Sequence, residues 1–307
     1  MDWCRLVSVL GLVIAPLAAG ADDVDVRFGT PQGATWSVQQ EVGLRHQVEA
    51  LVGAGEVGQG AEGWLLVKVK ERFIDEVVED RHGRPTKIRR TYRASEASQD
   101  EGDVIDTSLL NVTLLIVERD EGSDVVAEKG TLDEDVAALL KRSAVEPVLL
   151  LLPKERVRQG QEWKVDDAAI SAFRGGMYAD VLGAVDDQAA GEVSGTLDML
   201  AGVELVATVA SVTEDEVTIE YAGKSQVGTS QAFEIGGIRI EGTPNASVEM
   251  KGTLVFSRKD GRPVRLEWTE SRSATAAGKV SIPGLGSLGG AGARQGWKVV
   301  RTYAPIE

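Results

Sequence analysis

The chain has 307 residues, a formal net charge of −15 and one cysteine, Cys4. This acidic balance argues against nucleic acid as a partner, because affinity for nucleic acid comes largely from cationic contacts with phosphate. It argues equally against an anionic membrane surface as the main partner. A single cysteine leaves no internal disulfide and no cysteine-rich metal site.

The first residues have the layout of a secretory signal peptide. Arg5 precedes an apolar run over residues 6–15, and Ala19-Gly20-Ala21 matches an A-x-A cleavage site. The run is too short to span a membrane, which takes roughly 20 apolar residues. We therefore predict that residues 1–21 are removed on export to the periplasm or the exterior. The mature chain is then free of cysteine and is expected to have no transmembrane segment.

A β-rich lobe is predicted in residues 22–130. Apolar and polar residues alternate in it, and the clearest apolar series is Trp36, Val38, Val42, Leu44 and Val48. Side chains alternate faces along a strand, so the pattern predicts one packed and one solvated face, which is the habit of antiparallel sheets. The same alternation returns in residues 191–307, which we predict to be a second antiparallel lobe.

Two similar hairpin turns lie in these lobes, Gly83-Arg84-Pro85 and Gly261-Arg262-Pro263. In each, the glycine stands where a tight hairpin needs a positive φ. The proline then enters the next strand at its first positions, where a missing N–H is tolerated.

The two turns belong to a longer repeated order. A GxxWxV segment containing Trp36 precedes the first turn, and one containing Trp163 precedes the second. We interpret this order as a degenerate duplication, in which Trp36 and Trp163 begin equivalent strands and lie in matching buried environments. Chance is the alternative, because Gly-Arg-Pro is a short motif and turns favour its glycine and proline.

A helical connector over residues 131–190 is predicted between the lobes, and it includes the start of the second repeat. Thr131 and Glu134 have the spacing of a capping box. The apolar residues that follow keep helical spacing until Pro147 ends the pattern.

Residues 277–296 are rich in glycine and contain a GxGxxG at Gly284, Gly286 and Gly289. A dinucleotide fingerprint needs a helix and a second strand after it, but the residues that follow are β-like, so we predict no nucleotide site. Because glycine is poor in strands, we predict a mobile flap whose apolar residues dock on a ligand: Val280, Ile282, Leu285 and Leu288.

Candidates for catalysis or metal binding form no recognisable motif. His46 lies on the apolar face of its strand and His82 in a hairpin turn, without metal-site spacing. Acidic pairs are abundant in so acidic a chain and none has a distinctive context: Asp75–Glu76, Asp186–Asp187 and Glu214–Asp215. We therefore predict no catalytic, cofactor-binding or metal-binding residue, and no cofactor.

The hairpin GTLVFSRKDGRPVRLEW and the segment LLPKERVRQGQEWKV resemble those of uncharacterised exported bacterial β-rich proteins with repeated GxxWxV and DGRP signatures. These motifs are turns and strand starts, so the resemblance implies a fold and transfers no catalytic residue. At the level of fold, a long curved antiparallel sheet with a helix laid against it is similar to periplasmic lipoprotein carriers, and function does not follow from fold.

The whole sequence predicts a mainly β fold, with two related antiparallel β lobes of curved-sheet or half-barrel type and a helical connector. One continuous sheet and two separate domains both fit the pattern. The predicted function is that of a non-catalytic exported envelope or secreted protein, which binds a lipid or other apolar ligand on a concave sheet face. The alternatives are a structural or protein-interaction module without a small ligand and, third, a carboxylate-based hydrolase.

Overall fold

The computed structural model describes residues 23–51, 63–100, 102–119, 122–141, 145–182, 203–228, 233–235, 238–282 and 286–306. The predicted signal peptide, residues 1–21, lies outside these ranges. Leu285 of the predicted flap and the Asp186–Asp187 pair also lie outside the described residues.

Strands make up most of the described chain, and the helices are gathered in its middle. In chain order the elements are β1 (Thr35–Leu51), β2 (Gly63–Arg81), β3 (Arg84–Gln99), β4 (Ile105–Asp106), β5 (Thr113–Arg119), β6 (Gly122–Lys129), α1 (Glu134–Lys141), a 3₁₀ helix (Pro147–Leu151), β7 (Glu162–Val165), α2 (Asp167–Leu182), β8 (Glu204–Val212), β9 (Glu216–Gly228), β10 (Phe233–Ile235), β11 (Ile238–Ser257), β12 (Arg262–Ile282) and β13 (Gly286–Pro305).

The strands of the described ranges all belong to one antiparallel sheet. Its order is β6-β5-β3-β2-β1-β13-β12-β11-β9-β8-β7, with β4 beside β3 and β10 beside β11. β1 pairs with β13 from Trp36, opposite Pro305, to Leu51, opposite Gly290, and this pairing joins the two halves of the chain. The predicted mainly β fold with a helical connector is confirmed, and the lobes are halves of one continuous, open sheet.

One face of the sheet, named the inner face here, is covered by the helical connector and by residues 23–34. α2 packs on β1 and β2, and the ring of Phe173 on α2 lies 4.9 Å from the ring of Trp268 on β12. The alternating apolar residues of β1 are buried on this face: Trp36, Val38, Val42 and Leu44. The inner face therefore holds the hydrophobic core.

Asp133, rather than Thr131, caps α1. Its Oδ1 atom accepts a hydrogen bond of 3.3 Å from the backbone N–H of Val136, and a carboxylate suits this place because the first N–H groups of a helix have no partner within it. Pro147 begins the 3₁₀ helix, where Glu146 is the cap and accepts from the N–H of Val148 at 3.4 Å. The predicted helix is present, but the predicted cap residue is wrong.

Both Gly-Arg-Pro turns have the glycine conformation that the sequence predicts. Gly83 has a φ of 80° and Gly261 a φ of 59°, a region that L side chains rarely adopt. His82 also has a positive φ, 56°, so the two-residue loop between β2 and β3 is of the type I′ class. Pro85 and Pro263 lie beside register shifts of the sheet, where a missing N–H is tolerated.

The two turns meet on one glycine of the N-terminal segment, Gly29. The N–H of Gly29 donates to the carbonyl of Gly261 at 2.8 Å. A Cβ added to Gly83 would lie 3.1 Å from the Gly29 Cα atom, and one added to Gly261 would lie 3.0 Å from it. The absence of side chains at the turns thus lets the N-terminal segment pass against both hairpins.

The two GxxWxV segments do not occupy matching places. Trp36 lies on β1, beside the first hairpin, and is buried. Trp163 lies on the edge strand β7, which β8 and β9 separate from the second hairpin, and is half-buried. The expectation of matching environments is wrong, because an edge strand has a neighbour on one side and leaves its tryptophan less covered. The duplication itself stays a prediction.

The described glycine-rich residues 277–282 and 286–296 form paired strands, where the sequence predicted a loop. They end β12 and begin β13, with Val280 opposite Leu288. β12 also pairs with β11, and β13 with β1. Residues 290–296 therefore have a paired strand on each side, whereas residues 286–288 pair with β12 alone among the described strands. This pairing offsets the entropic cost of glycine in a strand. The backbones of Val280, Ile282 and Leu288 lie in the sheet, and their role in contacting a ligand stays a prediction.

Candidate functional site

The Asp75–Glu76 pair does not form a two-carboxylate site. Neighbours on a strand point to opposite faces, and this separates the two side chains. Asp75 is buried on the inner face and accepts two hydrogen bonds of 2.8 Å from Arg90. Glu76 accepts a hydrogen bond of 2.8 Å from Arg89. Each carboxylate is therefore engaged by a different arginine.

The other candidates of the sequence lie apart from one another. His82 is exposed in the turn between β2 and β3, and Glu214 and Asp215 are exposed between β8 and β9. His46 lies on β1 opposite Gln295, and its side chain is outside the described part of the structure. Among the described residues, no group of three or more His, Cys, Asp or Glu side chains is arranged to hold a metal ion.

Glu146 connects the 3₁₀ helix to β13 through a buried polar cluster. Its carboxylate accepts hydrogen bonds from the Arg301 Nη2 atom at 3.1 Å and from the Tyr303 hydroxyl at 3.2 Å. Burial raises the pKa of Tyr303 well above its usual value. Burial opposes the charge of Arg301 most strongly, but the nearby Glu146, Tyr303 and Asp75 together outweigh it, so the pKa of Arg301 is raised. A neutral tyrosine and a charged arginine make this cluster an anchor for the connector.

A second buried cluster fixes α2 to the sheet. Arg174 donates two hydrogen bonds, of 3.0 and 2.9 Å, to the carboxylate of Glu270 on β12, and Arg272 contacts the same carboxylate. Paired N–H donors from one guanidinium fix both distance and orientation. The inner face is thus closed by its own helices, side chains and ion pairs.

The opposite, outer face has an open depression of about 1000 Å³ over β3, β2, β1 and β13. The surface that lines this first depression is mostly apolar. Its outer-face apolar side chains are the half-buried Leu66, Ala94 and Val300. In the described ranges this part of the sheet carries no helix, so the depression opens to solvent.

Cationic side chains surround the first depression. Lys68, Lys70 and Arg72 alternate along β2 and therefore project from the outer face at intervals of about 7 Å. Lys298 lies on the other side, on β13. All four are exposed, and none forms an ion pair with a described residue.

Gly43 lies on the floor between these cations. It is opposite Lys68 on one side and Lys298 on the other, which places the Cα atoms of the two lysines about 10 Å apart. A Cβ added to Gly43 would come no closer than 4.0 Å to the Lys298 carbonyl oxygen. Packing does not require glycine here, and glycine weakens a strand. Its effect is to leave the space between the two lysines open.

A second depression of about 890 Å³ adjoins the first one and reaches β9. The two share Arg45 and Gly296. Hydroxyl side chains line the second depression on β11 and β12: Ser247, Ser271 and Ser273. The outer face therefore offers one continuous groove across seven neighbouring strands, β3 to β9.

The local charge of this groove is opposite to that of the whole protein. Three acidic outer-face side chains line it, namely Glu41, Glu96 and Glu249. Seven cationic ones do so: Arg45, Lys68, Lys70, Arg72, Lys224, Arg294 and Lys298. The chain as a whole carries −15. The groove is thus a basic surface on an acidic protein.

The sequence contains a signal for this basic surface. The alternation that buries Val67 and Val69 necessarily gathers Lys68 and Lys70 on the opposite face. The net charge of the chain does not reveal such a local cluster. The position of Lys298 in it depends on the pairing of β1 with β13, which joins residues far apart in the chain.

No family model matches the sequence, and no curated protein matches it. Among solved structures, lipovitellin matches with a TM-score of 0.37 and 9% identity, over 90% of this chain and 26% of the lipovitellin chain. An outer-membrane channel from Pseudomonas putida F1 matches with a TM-score of 0.20 and 10% identity, over 92% and 99% of the two chains. Pseudomonas aeruginosa OccK5 matches with a TM-score of 0.24 and 8% identity, over 89% and 99%.

These likenesses provide no activity and no ligand for this chain. The chain spans about a quarter of the length of the lipovitellin chain that it matches. Neither helix in the described part of the structure has the length and apolar character that crossing a membrane requires.

Proposed function

We propose that the protein is a non-catalytic exported envelope or secreted protein that binds a lipid or other apolar ligand on the outer face of its sheet. The observation that carries this proposal is the first depression, which is open, about 1000 Å³ in volume and mostly apolar. Ligand sites of proteins are concave, mostly apolar and of about 300–1,000 Å³, with a few polar groups that orient the ligand.

The inner face supports the same assignment by contrast. Its side chains pack against the connector, and its buried arginines are engaged in ion pairs. A ligand on that face would have to displace the core. The outer face, with its open depression, is therefore the surface on which we place the proposed ligand.

A structural or protein-interaction module without a small ligand is the second candidate. The filled inner face favours this candidate, because a sheet whose inner face is covered by its own helices and side chains is stable without a ligand. The two candidates differ in what they expect of the outer face: the first expects a bound small molecule, and the second expects none.

A carboxylate-based hydrolase is the third candidate, and the described acids give it little support. Glycosidases need two carboxyl groups about 5–9.5 Å apart in a cleft. Asp75 is held by Arg90, and Glu270 by Arg174 and Arg272. These buried carboxylates are neutralised by arginine, so they are not available as an acid and base pair.

Native mass spectrometry of protein purified from its own envelope or medium tests the proposal. We expect a mass increment that organic extraction removes. The control is Gly43→Leu, which fills the floor of the first depression where an added Cβ has ordinary contacts, and which we expect to lack the increment. A wild-type protein that carries no small molecule would instead support the structural module.

N-terminal sequencing tests the proposed export. We expect the mature chain to begin at or within a few residues of Asp22, because the A-x-A site ends at Ala21. A cytoplasmic protein with an intact Met1 would contradict this part of the proposal and leave the binding site untouched.

A further inference from the structure

The unpaired cations of the outer face are not explained by folding. The buried arginines of the inner face each contact a carboxylate, as burial of a charge demands. Lys68, Lys70, Arg72 and Lys298 have no such partner among the described residues. In a chain with 48 acidic and 33 basic residues, four unpaired cations around one depression form a local excess.

The arrangement of these cations suits one anionic group. Lys68 and Lys298 face each other across Gly43, with their Cα atoms about 10 Å apart. Two flexible lysine side chains span this distance and converge on a group that lies over the glycine. Lys70 and Arg72 follow Lys68 along β2, with Lys70 in register between Glu41 and Glu96. Guanidinium and ammonium groups are the side-chain groups that bind phosphate and carboxylate in proteins.

The apolar part of the depression limits what the anion belongs to. Leu66 and Val300 line the same depression as the lysines, so apolar and cationic contacts are available to one molecule. A free anion would leave Leu66 and Val300 uncovered, and a neutral lipid would leave the four cations without an anionic partner. An amphiphile with an anionic headgroup uses both.

We infer that the ligand is a single anionic lipid molecule, whose phosphate or carboxylate headgroup lies over Gly43 between Lys68 and Lys298, with its apolar part against Leu66 and Val300. This inference rests on the proposed function and adds the charge and position of the ligand. A bilayer surface is a poorer occupant, because the rest of a protein of charge −15 is repelled by anionic lipid. A single lipid molecule can enter the depression without placing the acidic remainder of the protein against an anionic bilayer.

Calorimetric titration of the delipidated full chain tests the inference. The probes are monomeric dihexanoyl phosphatidylglycerol, dihexanoyl phosphatidylcholine at the same concentrations, and inorganic phosphate. We expect the anionic lipid to bind at least about tenfold more tightly than the other two. We also expect its affinity to fall as salt is added, because the headgroup contacts are exposed to screening.

A matched pair of double variants locates the site. Lys68→Gln with Lys298→Gln removes the two lysines across Gly43. Lys154→Gln with Lys164→Gln makes the same change of net charge at exposed lysines outside the groove. The first should weaken binding of phosphatidylglycerol about tenfold or more and leave phosphatidylcholine unchanged, and the second should change neither. Thermal unfolding of all variants checks that each one is folded.

Each further outcome has a defined meaning. Equal affinity for both lipids, or unchanged affinity in the Lys68 and Lys298 variant, overturns the anionic headgroup and leaves the apolar-ligand function standing. Failure of both lipids to bind contradicts the proposed function itself. Phosphate that binds as tightly as phosphatidylglycerol overturns the lipid as its source. Binding to phosphatidylglycerol vesicles without binding to the monomeric lipid overturns the single-molecule site in favour of a membrane surface.

Discussion

The two faces of the sheet differ in the burial and the pairing of their positively charged side chains. On the inner face, Arg90 and Arg301 are almost completely buried, and each contacts a carboxylate, that of Asp75 or Glu146. On the outer face, four cations around the first depression, Lys68, Lys70, Arg72 and Lys298, are exposed and form no ion pair with a described residue. Burial makes pairing obligatory, because an isolated charge in the core costs several kcal/mol. Exposure removes that demand, so charge on the outer face is free to serve binding.

Glycine shows the same difference. A Cβ added to Gly252 on β11 would lie 2.4 Å from the Trp268 ring, which is one of the largest fully buried side chains. A Cβ added to Gly43 on the outer face would meet nothing closer than 4.0 Å. The first glycine is required by packing. The second is not, which leaves access to the depression as its physical effect.

Removal of one partner of a buried ion pair should have the largest effect on stability. Asp75→Asn leaves the guanidinium of Arg90 buried without its carboxylate, and Arg90 has a pKa raised well above its usual value, since Asp75 outweighs the opposing effect of burial. We expect a loss of about 3–5 kcal/mol in the free energy of unfolding, measured by urea denaturation.

A double variant separates the cost of leaving one charge buried without its partner from the net contribution of the ion pair to stability. Asp75→Leu with Arg90→Met removes both charges together, and we expect its stability to lie close to that of the wild type, because apolar residues of similar volume often replace a buried pair without loss. A loss as large as that of Asp75→Asn would show that the site depends on the ion pair itself.

Two matched glycine variants should differ in sign. Gly252→Ala places a methyl group against Trp268, and we expect a loss of about 1–3 kcal/mol in the free energy of unfolding, as is typical of an overpacked core. Gly43→Ala should raise it by up to about 1 kcal/mol, because alanine loses less conformational entropy in a strand. A destabilising Gly43→Ala would mean that the outer glycine also serves the fold.

The inner face could be predicted from the sequence to a large extent, and the outer site could not. Alternation identifies Trp36, Val38 and Leu44 as core residues, and burial follows directly from the two faces of a strand. Local turn chemistry likewise gives the positive φ of Gly83 and Gly261. These features depend on neighbouring residues, so a single sequence carries them.

Features that depend on pairing between distant strands were beyond the sequence. The glycine-rich residues 277–282 and 286–296 are poor strand formers taken alone, yet they lie in strands that pair with β11 and β1. Arg174 and Glu270 meet across 96 residues of chain, and Lys298 faces Lys68 through β1. Long-range pairing of this kind decides both the strand structure of the glycine-rich residues and the presence of the groove.

Alkaline pH should lower the free energy of unfolding through two buried tyrosines of the inner face. Burial raises the pKa of Tyr221 and of Tyr303, so the folded state holds both as neutral phenols where the unfolded chain ionises near pH 10. Their contribution to stability is complete below pH 10 and is lost as the pH rises above it. At pH 10.5 we expect a loss of about 1 kcal/mol per tyrosine in the free energy of unfolding.

Tyr221→Phe provides the control for this pH dependence. The Tyr221 hydroxyl donates to the carbonyl of Leu151 at 3.3 Å, and phenylalanine keeps the ring while removing the titrating group. The variant should lose about half of the fall in stability between pH 9 and 10.5 that the two tyrosines cause. An unchanged pH profile would place the alkaline sensitivity elsewhere.

The smallest effect is expected for an ion pair of the outer face. Glu249 accepts from Lys251 and lies near Lys224, and the hydrogen bond from Lys251 is the main cause of its lowered pKa. A carboxylate with a lowered pKa stabilises the fold above its unfolded pKa, and this contribution is lost as the pH falls below that range. Because Glu249 is on the exposed face, solvent screens the pair, and we expect no resolvable shift in Tm for Glu249→Gln at neutral pH. The same variant makes the second depression more basic, so binding of the anionic lipid should be unchanged or tighter. A clear fall in Tm would show that charges on the outer face also support the fold, and the division between a face that holds the fold and a face that binds would not stand.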